Sequence, residues 1–305
     1  MENSYDGDWP LWDVYSQAIY EQLQTVPALS RVRQAGLDSV YGPTLWWAVN
    51  NTNVSAFVYH DYSGEDFFDM VMPLKNFASA GAGRLAPPKS GANPGDTTPF
   101  IFGEFGGPEG GNGCCQWNVA GQQEGASLWI PQKAIAAVAA GAYAASYWTF
   151  MDGYTPPGSY PPSQQDTCWG LIKWAGFNVD CVPAFYSYGL LARYFRGPAD
   201  AWPVTQEYIH GSTPAACVQQ HDTGFWSCTA LNLGATPLTV SLPLPLKASG
   251  RSFFRFRYTA GDATDGVVKE CILPKPGANK ILVNASAILQ DSVEPMSLVV
   301  WSEWI

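Results

Sequence analysis

Residues 100–107, which read FIFGEFGG, place a single carboxylate, Glu104, at the end of an otherwise apolar strand. An ionised carboxylate is costly to bury without partners, so its position after an apolar run needs a physical reason. In a parallel β/α barrel the carboxyl-terminal strand ends are where catalytic groups gather, while the interior is a packed core. The alternative is that Glu104 caps the segment that follows. We interpret Glu104 as a candidate catalytic residue.

The strand-like segments before and after Glu104 end in a similar way. The preceding one, residues 54–60, ends in Tyr59 and His60, and the following one carries Trp148 near its end. Taken alone, a histidine in the position of His60 is more often a hydrogen-bonding residue than a catalyst. A tryptophan in the position of Trp148 is a core residue as often as it is a binding platform. Three successive strand ends that carry Tyr-His, Glu and Trp form a more specific combination, which supports the catalytic interpretation.

Strand-like and helix-like segments alternate through the first part of the chain. Periodicity and Pro or Gly boundaries predict helices at 11–23, 66–78, 131–145 and 183–195 and strands at 37–41, 54–60, 99–105 and 145–150. Gly197 is expected to cap the last of these helices. The longest apolar tract, 134–150, is interpreted as a buried helix running into a strand, because polar residues interrupt it and it lacks a basic flank. This alternation implies parallel β/α units.

The pattern changes from about residue 208 onwards to short strands separated by turn residues. Strands are predicted at 216–220, 226–232, 238–242, 253–259, 267–272, 280–283 and 297–301. In segment 253–259 aromatic residues alternate with Arg255 and Arg257, which predicts one buried face and one exposed face. The sequence thus predicts an α/β domain at 1–203 and an all-β sandwich at 204–305.

The composition favours an uncharged polar partner. Charged residues make up 14% of the chain, against roughly 25% in typical soluble domains, and aromatic residues make up another 14%. A sugar suits such a protein, because a pyranose offers a C–H face for stacking and hydroxyls for hydrogen bonds; a large aromatic core is the other interpretation. The net charge of −10 repels phosphate and anionic surfaces, so we expect no nucleic-acid or membrane partner.

The seven cysteines form neither a CxxC motif nor a cluster with histidine, so we expect no metal site, and no cofactor is expected either. Cys217 and Cys228 flank a predicted hairpin and are expected to form a disulfide, with Cα atoms about 4.4–6.8 Å apart. Cys168 and Cys181 flank a loop and form a second candidate pair. An odd count leaves one thiol free or bonded outside this chain.

Three glycosylation sequons begin at Asn50, Asn53 and Asn284. Together with the cysteines and the low lysine content they favour an oxidising setting, so we expect a secreted, extracellular or cell-wall protein. Residues 1–5 are polar and acidic and lack the apolar core of a signal peptide. The sequence is therefore expected to be a mature portion or a fragment.

The order of the strand ends resembles strands six, seven and eight of the (β/α)8 barrel of clan A retaining glycoside hydrolases. In that clan the nucleophile is a Glu ending strand seven, often within Gly/Thr-Glu-Phe/Tyr-Gly, and residues 103–106 (GEFG) match this context. A Tyr or His near the end of strand six commonly hydrogen-bonds the nucleophile, and a Trp ends strand eight beneath the sugar. The resemblance implies that Glu104 is the nucleophile. It also implies that Tyr59 and His60 support Glu104 and that Trp148 is a sugar platform.

The fold implied by the resemblance is the C-terminal half of a (β/α)8 TIM-type barrel followed by a β-sandwich. Residues 42–43 (GP) resemble the end of strand five in the xylosidase- and arabinofuranosidase-like branches, and the helix at 184–195 followed by a sandwich is also similar to them. By this resemblance we expect strands one to three of the barrel to be absent from this sequence and strand four to be at most a stub. A half barrel leaves strand edges exposed, so we expect either a second polypeptide that supplies the missing half or a longer protein.

The clan mechanism needs two carboxyl groups about 5–5.5 Å apart, one as nucleophile and one as acid/base. By resemblance the acid/base follows an Asn at the end of strand four, and residues 1–9 align Asn3 with that position and Ser4 with the acid/base. A serine hydroxyl cannot deliver a proton as a carboxylic acid does. Glu2 is an alternative only after a register shift of two, which leaves it on the same strand face but about 6–7 Å away.

Two functions follow from these observations. The first is a glycoside hydrolase that cleaves O-glycosidic bonds of a polysaccharide or oligosaccharide with retention. The alternative is a catalytically inactive carbohydrate-binding or structural extracellular glycoprotein; Ser4 favours this alternative, whereas Glu104 favours the enzyme. The candidate substrate-binding residues are Asn3, Trp46, Tyr59, His60, Tyr62, Trp148 and Asp152.

Overall fold

The computed structural model describes residues 9–30, 32, 35–39, 56–60, 67–84, 100–105, 120–147, 150–152, 170–175, 178–202, 204, 209–263, 267 and 270–305. These residues form a mixed helix and sheet fold. The helices are α1 (Trp9–Thr25), α2 (Phe67–Arg84), α3 (Ala120–Ala139) and α4 (Pro183–Tyr194). The strands are β1 (Ala35–Ser39), β2 (Ala56–His60), β3 (Phe100–Phe105), β4 (Ala144–Tyr147), β5 (Met151–Asp152), β6 (Ile172–Ala175), β7 (Asn178–Cys181), β8 (Ala199–Trp202), β9 (Ala215–Gln220), β10 (Trp226–Asn232), β11 (Leu238–Pro243), β12 (Ser252–Thr259), β13 (Ile281–Leu282), β14 (Ile288–Val293) and β15 (Ser297–Ser302).

The first strands of the chain form a four-stranded sheet in the order β1-β2-β3-β4. Strand β2 pairs in parallel with β1 on one side and with β3 on the other. Helix α2 connects β2 to β3 in sequence, and α3 lies between β3 and β4. The strands predicted at 54–60 and 99–105 are confirmed, since apolar and β-branched residues in both segments extend into this sheet.

The helix predicted at 131–145 is placed wrongly. Helix α3 begins at Ala120 and continues through Pro131 to Ala139. Gly141 then adopts φ +79°, a left-handed conformation that glycine tolerates and that ends the helix. The strand predicted at 145–150 is observed as β4 over Ala144–Tyr147, and residues 148–149 lie outside the described residues.

The later strands form a six-stranded sheet in the order β13-β12-β15-β10-β9-β8 and a two-stranded sheet of β11 and β14. Buried residues of both sheets form one apolar cluster, which includes Phe253 and Trp301 of the larger sheet and Leu289 of the smaller one. On the opposite face of the larger sheet, the ring of Phe256 lies 4.4 Å from the ring of Tyr194 in helix α4. The prediction for strand 253–259 is confirmed in part: Phe256 and Tyr258 are buried and Arg257 is exposed, but Phe253 is buried and Arg255 half-buried on the face of the arginines.

Two other sequence predictions are wrong in this region. No strand forms at 267–272 in the part of the chain that the structure describes, because Glu270 and Cys271 adopt φ values of 58° and 55°, which no strand accepts. The helix predicted at 183–195 is confirmed as α4, but its C-cap is Phe195. Gly197 lies beyond the cap and precedes a cis Pro198.

Two disulfides are present among the described residues. The predicted pair of Cys217 and Cys228 is confirmed, and its Cα atoms are 4.1 Å apart. This spacing is slightly shorter than predicted, because the two residues are directly opposite on antiparallel β9 and β10, where Cα atoms approach to about 4.5 Å. The alternative pair of Cys168 with Cys181 is wrong, since Cys181 is bonded to Cys271.

The chain divides into two compact units. The first comprises Met1–Asp61, Met72–Phe105 and Ala140–Ser146, and it contains the four-stranded sheet up to Ser146. The second contains helices α3 and α4 and the antiparallel sheets. The predicted domain boundary at residue 203 stays a prediction. Within the described ranges, no helix is both long enough and apolar enough to cross a membrane.

Candidate active site

The paired ends of β2 and β3 bring two of the predicted site residues together. His60 is the last residue of β2 and is opposite Glu104 in the parallel register with β3. Nδ1 of His60 lies 3.3 Å from Oε2 of Glu104, and the two side chains are 7% and 19% exposed. The strand ends therefore hold a nearly buried imidazole against a carboxylate that keeps some access to solvent.

An extra residue in β3 creates this pairing. Tyr59 is opposite Phe102, but the next residue of β2, His60, is opposite Glu104 rather than Gly103. The register thus advances by one residue on β2 and by two on β3, which makes Gly103 the additional residue of a β-bulge. Without the bulge Gly103 would face His60. The bulge therefore turns the carboxylate of Glu104 towards the imidazole of His60.

An aromatic stack supports the same strand ends. The rings of Tyr59 and Phe102 lie 6.3 Å apart, and those of Phe102 and Phe105 lie 5.0 Å apart with planes only 9° from parallel. In a regular strand, side chains three positions apart point to opposite faces, so the bulge also explains how these two phenylalanines meet. Both are fully buried, and they anchor β3 on either side of Glu104. The predicted role of Tyr59 in substrate binding stays a prediction.

The contact between His60 and Glu104 bears on which roles the carboxylate can have in a reaction. A protonated Nδ1 donates to the carboxylate and so favours its ionised form. An ionised carboxylate can act as a nucleophile or a general base, but it has no proton to give to a leaving group. Chemistry that breaks a bond to an oxygen leaving group would therefore need a separate acid.

A half-buried tyrosine of helix α4, Tyr188, contacts Tyr147. The ring of Tyr188 lies 5.6 Å from that of Tyr147, the last residue of β4. Burial raises the pKa of Tyr188 to about 12, against the smaller opposing effect of a hydrogen bond from the backbone of Tyr147. Tyr188 is therefore neutral at physiological pH.

The other predicted site residues are only partly accounted for. Glu2, Asn3, Ser4, Trp46, Tyr62 and Trp148 lie outside the described residues. Asp152 is in strand β5, opposite Lys173 of β6, in a three-stranded sheet of the second compact unit. Of the predicted site residues, the described part of the chain thus brings His60 and Glu104 into contact, and Tyr59 immediately precedes His60 in sequence.

The bulge at Gly103 is a feature of the candidate site that the strand pattern alone does not predict. A signal for it was present, because an isolated glycine inside an apolar strand indicates a bulge or a close backbone approach. Gly103 directly precedes the carboxylate that the bulge re-aims. A glycine immediately before a strand-end carboxylate is thus informative about the direction of that side chain.

The sequence matches no protein-family model, and no curated protein matches it significantly. Solved structures do have a similar fold. One is the catalytic domain of a GH30 xylanase C from Talaromyces cellulolyticus, which is 12% identical, with a TM-score of 0.61, over 97% of this chain and 57% of that chain. Another is a family 51 α-L-arabinofuranosidase from Bifidobacterium longum, which is 13% identical, with a TM-score of 0.59, over 95% of this chain and 63% of that chain.

A GH30 endoxylanase from Clostridium papyrosolvens is 14% identical, with a TM-score of 0.52, over 99% of this chain and 63% of that chain. This chain therefore spans 57–63% of the length of these three structures. The resemblance to clan A glycoside hydrolases, which the strand ends predicted, is confirmed at the level of the fold.

Proposed function

We propose that this chain is the nucleophile-bearing part of a retaining glycoside hydrolase that cleaves a polysaccharide or oligosaccharide. The observation that carries the proposal is the 3.3 Å contact between His60 and Glu104 at the ends of adjacent parallel strands. A carboxylate held by a donor and still partly exposed is the group that a retaining mechanism needs as nucleophile. The fold similarity to xylanases and arabinofuranosidases supports the same class of substrate.

The proposed architecture is the second half of a (β/α)8 barrel followed by a β-sandwich. In it, β1 to β4 correspond to barrel strands five to eight. The parallel pairing of β1, β2 and β3 and the helices between successive strands support this assignment. The shared apolar cluster of the two antiparallel sheets supports the sandwich.

In the proposed reaction, a carboxylate oxygen of Glu104 forms a bond to the anomeric carbon of the sugar while the bond from that carbon to the leaving oxygen breaks. Water then cleaves the glycosyl ester, which restores the carboxylate and gives net retention. His60 positions Glu104 through its Nδ1 contact. The leaving oxygen needs a proton, and the predicted acid position is Ser4, whose hydroxyl cannot supply one at neutral pH.

Strand edges and exposed apolar side chains of the first unit support a partner that completes the barrel. Among the described strands β1 and β4 are the edges of the parallel sheet. Tyr143, just before β4, is 78% exposed, and helix α1 exposes the apolar side chains of Val14 and Ile19. Such edges and apolar residues are normally covered in a folded protein. We assign their covering to the remaining barrel strands, supplied by a second polypeptide or a further segment.

The setting that we propose is extracellular or in the cell wall. Two disulfides in the described part of the chain support it, because such bonds persist in oxidising compartments. The three sequons support a glycoprotein in the same setting.

Hydrolysis of aryl xylosides and arabinofuranosides with leaving groups of graded acidity tests the proposal. Without a carboxylic acid at the leaving group, activated aryl glycosides should react, and alkyl glycosides should react about 10²- to 10⁴-fold more slowly than general acid catalysis would allow. Glu104→Gln should abolish the reaction, and Ser4→Glu should raise the rate on alkyl glycosides.

Glu270→Gln serves as the matched control, because it removes a carboxylate from an exposed residue elsewhere. It should leave the rates unchanged. Equal rates for the wild type and Glu104→Gln would contradict the proposed nucleophile. Sugar binding without turnover of any aryl glycoside would instead favour the inactive carbohydrate-binding glycoprotein.

A further inference from the structure

The turn between β13 and β14 presents a glycosylation sequon on the surface. Residues 284–286 read Asn-Ala-Ser, which fits the acceptor pattern because the middle residue is not proline. Asn284, Ala285 and Ser286 are all exposed. Val283 and Ala287 on either side of them are buried. The sequon is thus anchored at both ends and projects into solvent between them.

The side chain of Asn284 uses only its oxygen within the fold. Oδ1 accepts hydrogen bonds from the backbone N–H of Ser286 at 3.0 Å and from that of Ile288 at 2.9 Å. No group in the described ranges accepts a hydrogen bond from Nδ2 of Asn284. Attachment of a sugar to Nδ2 replaces an N–H hydrogen and leaves the carbonyl oxygen in place, so both of these bonds persist in the modified side chain.

The backbone of the turn is also held by hydrogen bonds that do not use the Asn284 side chain. The N–H of Asn284 donates to the carbonyl of Ile288 at 3.1 Å, and the N–H of Ala287 donates to the carbonyl of Asn284 at 2.9 Å. The hydroxyl of Ser249 donates to the same carbonyl at 3.2 Å. A substituent on Nδ2 therefore extends from a fixed surface turn and displaces nothing that holds the turn together.

We propose that Asn284 is a site of N-linked glycosylation. The co-reactant is an oligosaccharide carried on a polyprenyl diphosphate. Nδ2 bonds to the anomeric carbon of the first sugar, the bond from that carbon to the diphosphate oxygen breaks, and Nδ2 loses one proton. The two disulfides point independently to an oxidising compartment of the kind in which secreted proteins acquire such glycans. The proposal does not depend on the glycosidase activity.

The test is to secrete the full chain from a eukaryotic host and release its glycans with a peptide amidase in heavy-oxygen water. Peptide mass spectrometry should then find residue 284 converted to a heavy-oxygen aspartate. Because Asn284→Gln also removes the Oδ1 acceptor of the turn, it is a poor test by itself. The decisive pair is Ser286→Ala and Ser286→Thr, since only the backbone N–H of Ser286 is used in the turn.

Ser286→Ala should lose the glycan mass at residue 284, and Ser286→Thr should keep it. Both variants should secrete and unfold like the wild type, which separates loss of the sequon from loss of the fold. Recovery of the wild-type peptide with an unmodified Asn284 would overturn the proposal, and so would glycans confined to Asn50 and Asn53. The same glycan mass on residue 284 of Ser286→Ala would overturn it as well.

Discussion

The six-stranded antiparallel sheet and the four-stranded sheet of β1 to β4 differ in how much of their side-chain surface is buried. In the former, Phe253 and Phe256 are buried on opposite faces of strand β12. In the latter, residues of the edge strand β4 are exposed or only half-buried along its length. The antiparallel sheets carry an apolar core, while the sheet whose described edge strand is exposed carries the candidate active site. The core and the candidate site thus lie in different parts of this chain.

The helices show the same difference. Helix α4 buries Tyr186, Leu190 and Tyr194, and the last of these packs on Phe256. Helix α1 leaves Val14 and Ile19 in solvent. An apolar side chain gains free energy only where something covers it, at roughly 25 cal/mol per Å² of buried apolar area. We therefore expect substitutions in α4 and the antiparallel sheets to lower the free energy of unfolding more than substitutions in α1 and the sheet of β1 to β4.

The largest expected effect comes from the long-range disulfide of the second unit. Replacing Cys181 and Cys271 together with alanine opens a cross-link over 90 residues, whereas the pair at Cys217 and Cys228 spans 11. Loop entropy predicts losses of about 4–5 and about 3 kcal/mol, respectively, in the free energy of unfolding. Urea titration of the two double variants measures both. A larger loss for the shorter loop would show that packing around the disulfides, rather than loop closure, sets their contribution.

Two alanine variants, one in the core of the antiparallel sheets and one in helix α1, compare the two regions. Trp301 is fully buried and donates from its indole N–H to Asp291 at 2.8 Å. Trp301→Ala should cost about 3–5 kcal/mol in the free energy of unfolding. Val14→Ala should stay within about 0.5 kcal/mol, because Val14 is exposed. Similar losses for both variants in chemical denaturation would contradict the difference described above.

His60 should affect chemistry more than stability. His60→Ala removes the 3.3 Å contact between Nδ1 and the Glu104 carboxylate that positions this side chain, so the reaction of Glu104 with an activated glycoside should slow by about 10- to 100-fold. His60→Asn keeps a donor near the position of Nδ1 and should recover part of the rate. Pre-steady-state kinetics of both variants, with urea titrations as a control for folding, checks this. Equal rates for the two variants would exclude positioning through Nδ1.

The smallest expected effect is a pH dependence in the second unit. Burial alone would raise the pKa of Glu294, but its hydrogen bond to Arg255 and the charges of Arg255 and Arg257 lower the pKa below its ordinary value of 4.5. Glu294 therefore contributes stability above pH 4.5 that is lost as the pH falls through its lowered pKa. Glu294 is partly exposed, so Glu294→Gln should cost below about 1 kcal/mol at pH 7.

That cost should vanish at a pH well below 4.5. Urea titrations of the wild type and Glu294→Gln across this range measure the difference. A difference that stays constant with pH would show that the charge of Glu294 does not contribute to stability.

The antiparallel strands could be predicted where the residue types along the segment determine the strand. The strand at Trp226–Asn232 was predicted to the residue, because a β-branched and apolar run lies between clear turn residues. The segment at 267–272 was not predicted correctly, because Glu270 and Cys271 adopt φ values of 58° and 55°, which no strand accepts. The local residue pattern gives no sign of this left-handed backbone.

The candidate site was predictable as a set of strand ends but not as a geometry. His60 and Glu104 were expected to be close, because parallel strands place their carboxyl ends at one edge. That they are directly opposite depends on a one-residue slip at Gly103. A slip of one residue moves a side chain to the other face of the sheet, and pairing register is not encoded in either strand alone. The direction of the carboxylate therefore required the structure.

The most direct test of the central claim is covalent labelling of the full chain with activated 2-deoxy-2-fluoro xylosides and arabinofuranosides, followed by peptide mass spectrometry. Fluorine slows breakdown of the glycosyl ester, and the activated leaving group needs no acid, so Ser4 does not prevent labelling. The account predicts one label, on Glu104, and its absence in Glu104→Gln. A label on another carboxylate, or the same label in Glu104→Gln, would contradict the claim that Glu104 is the nucleophile.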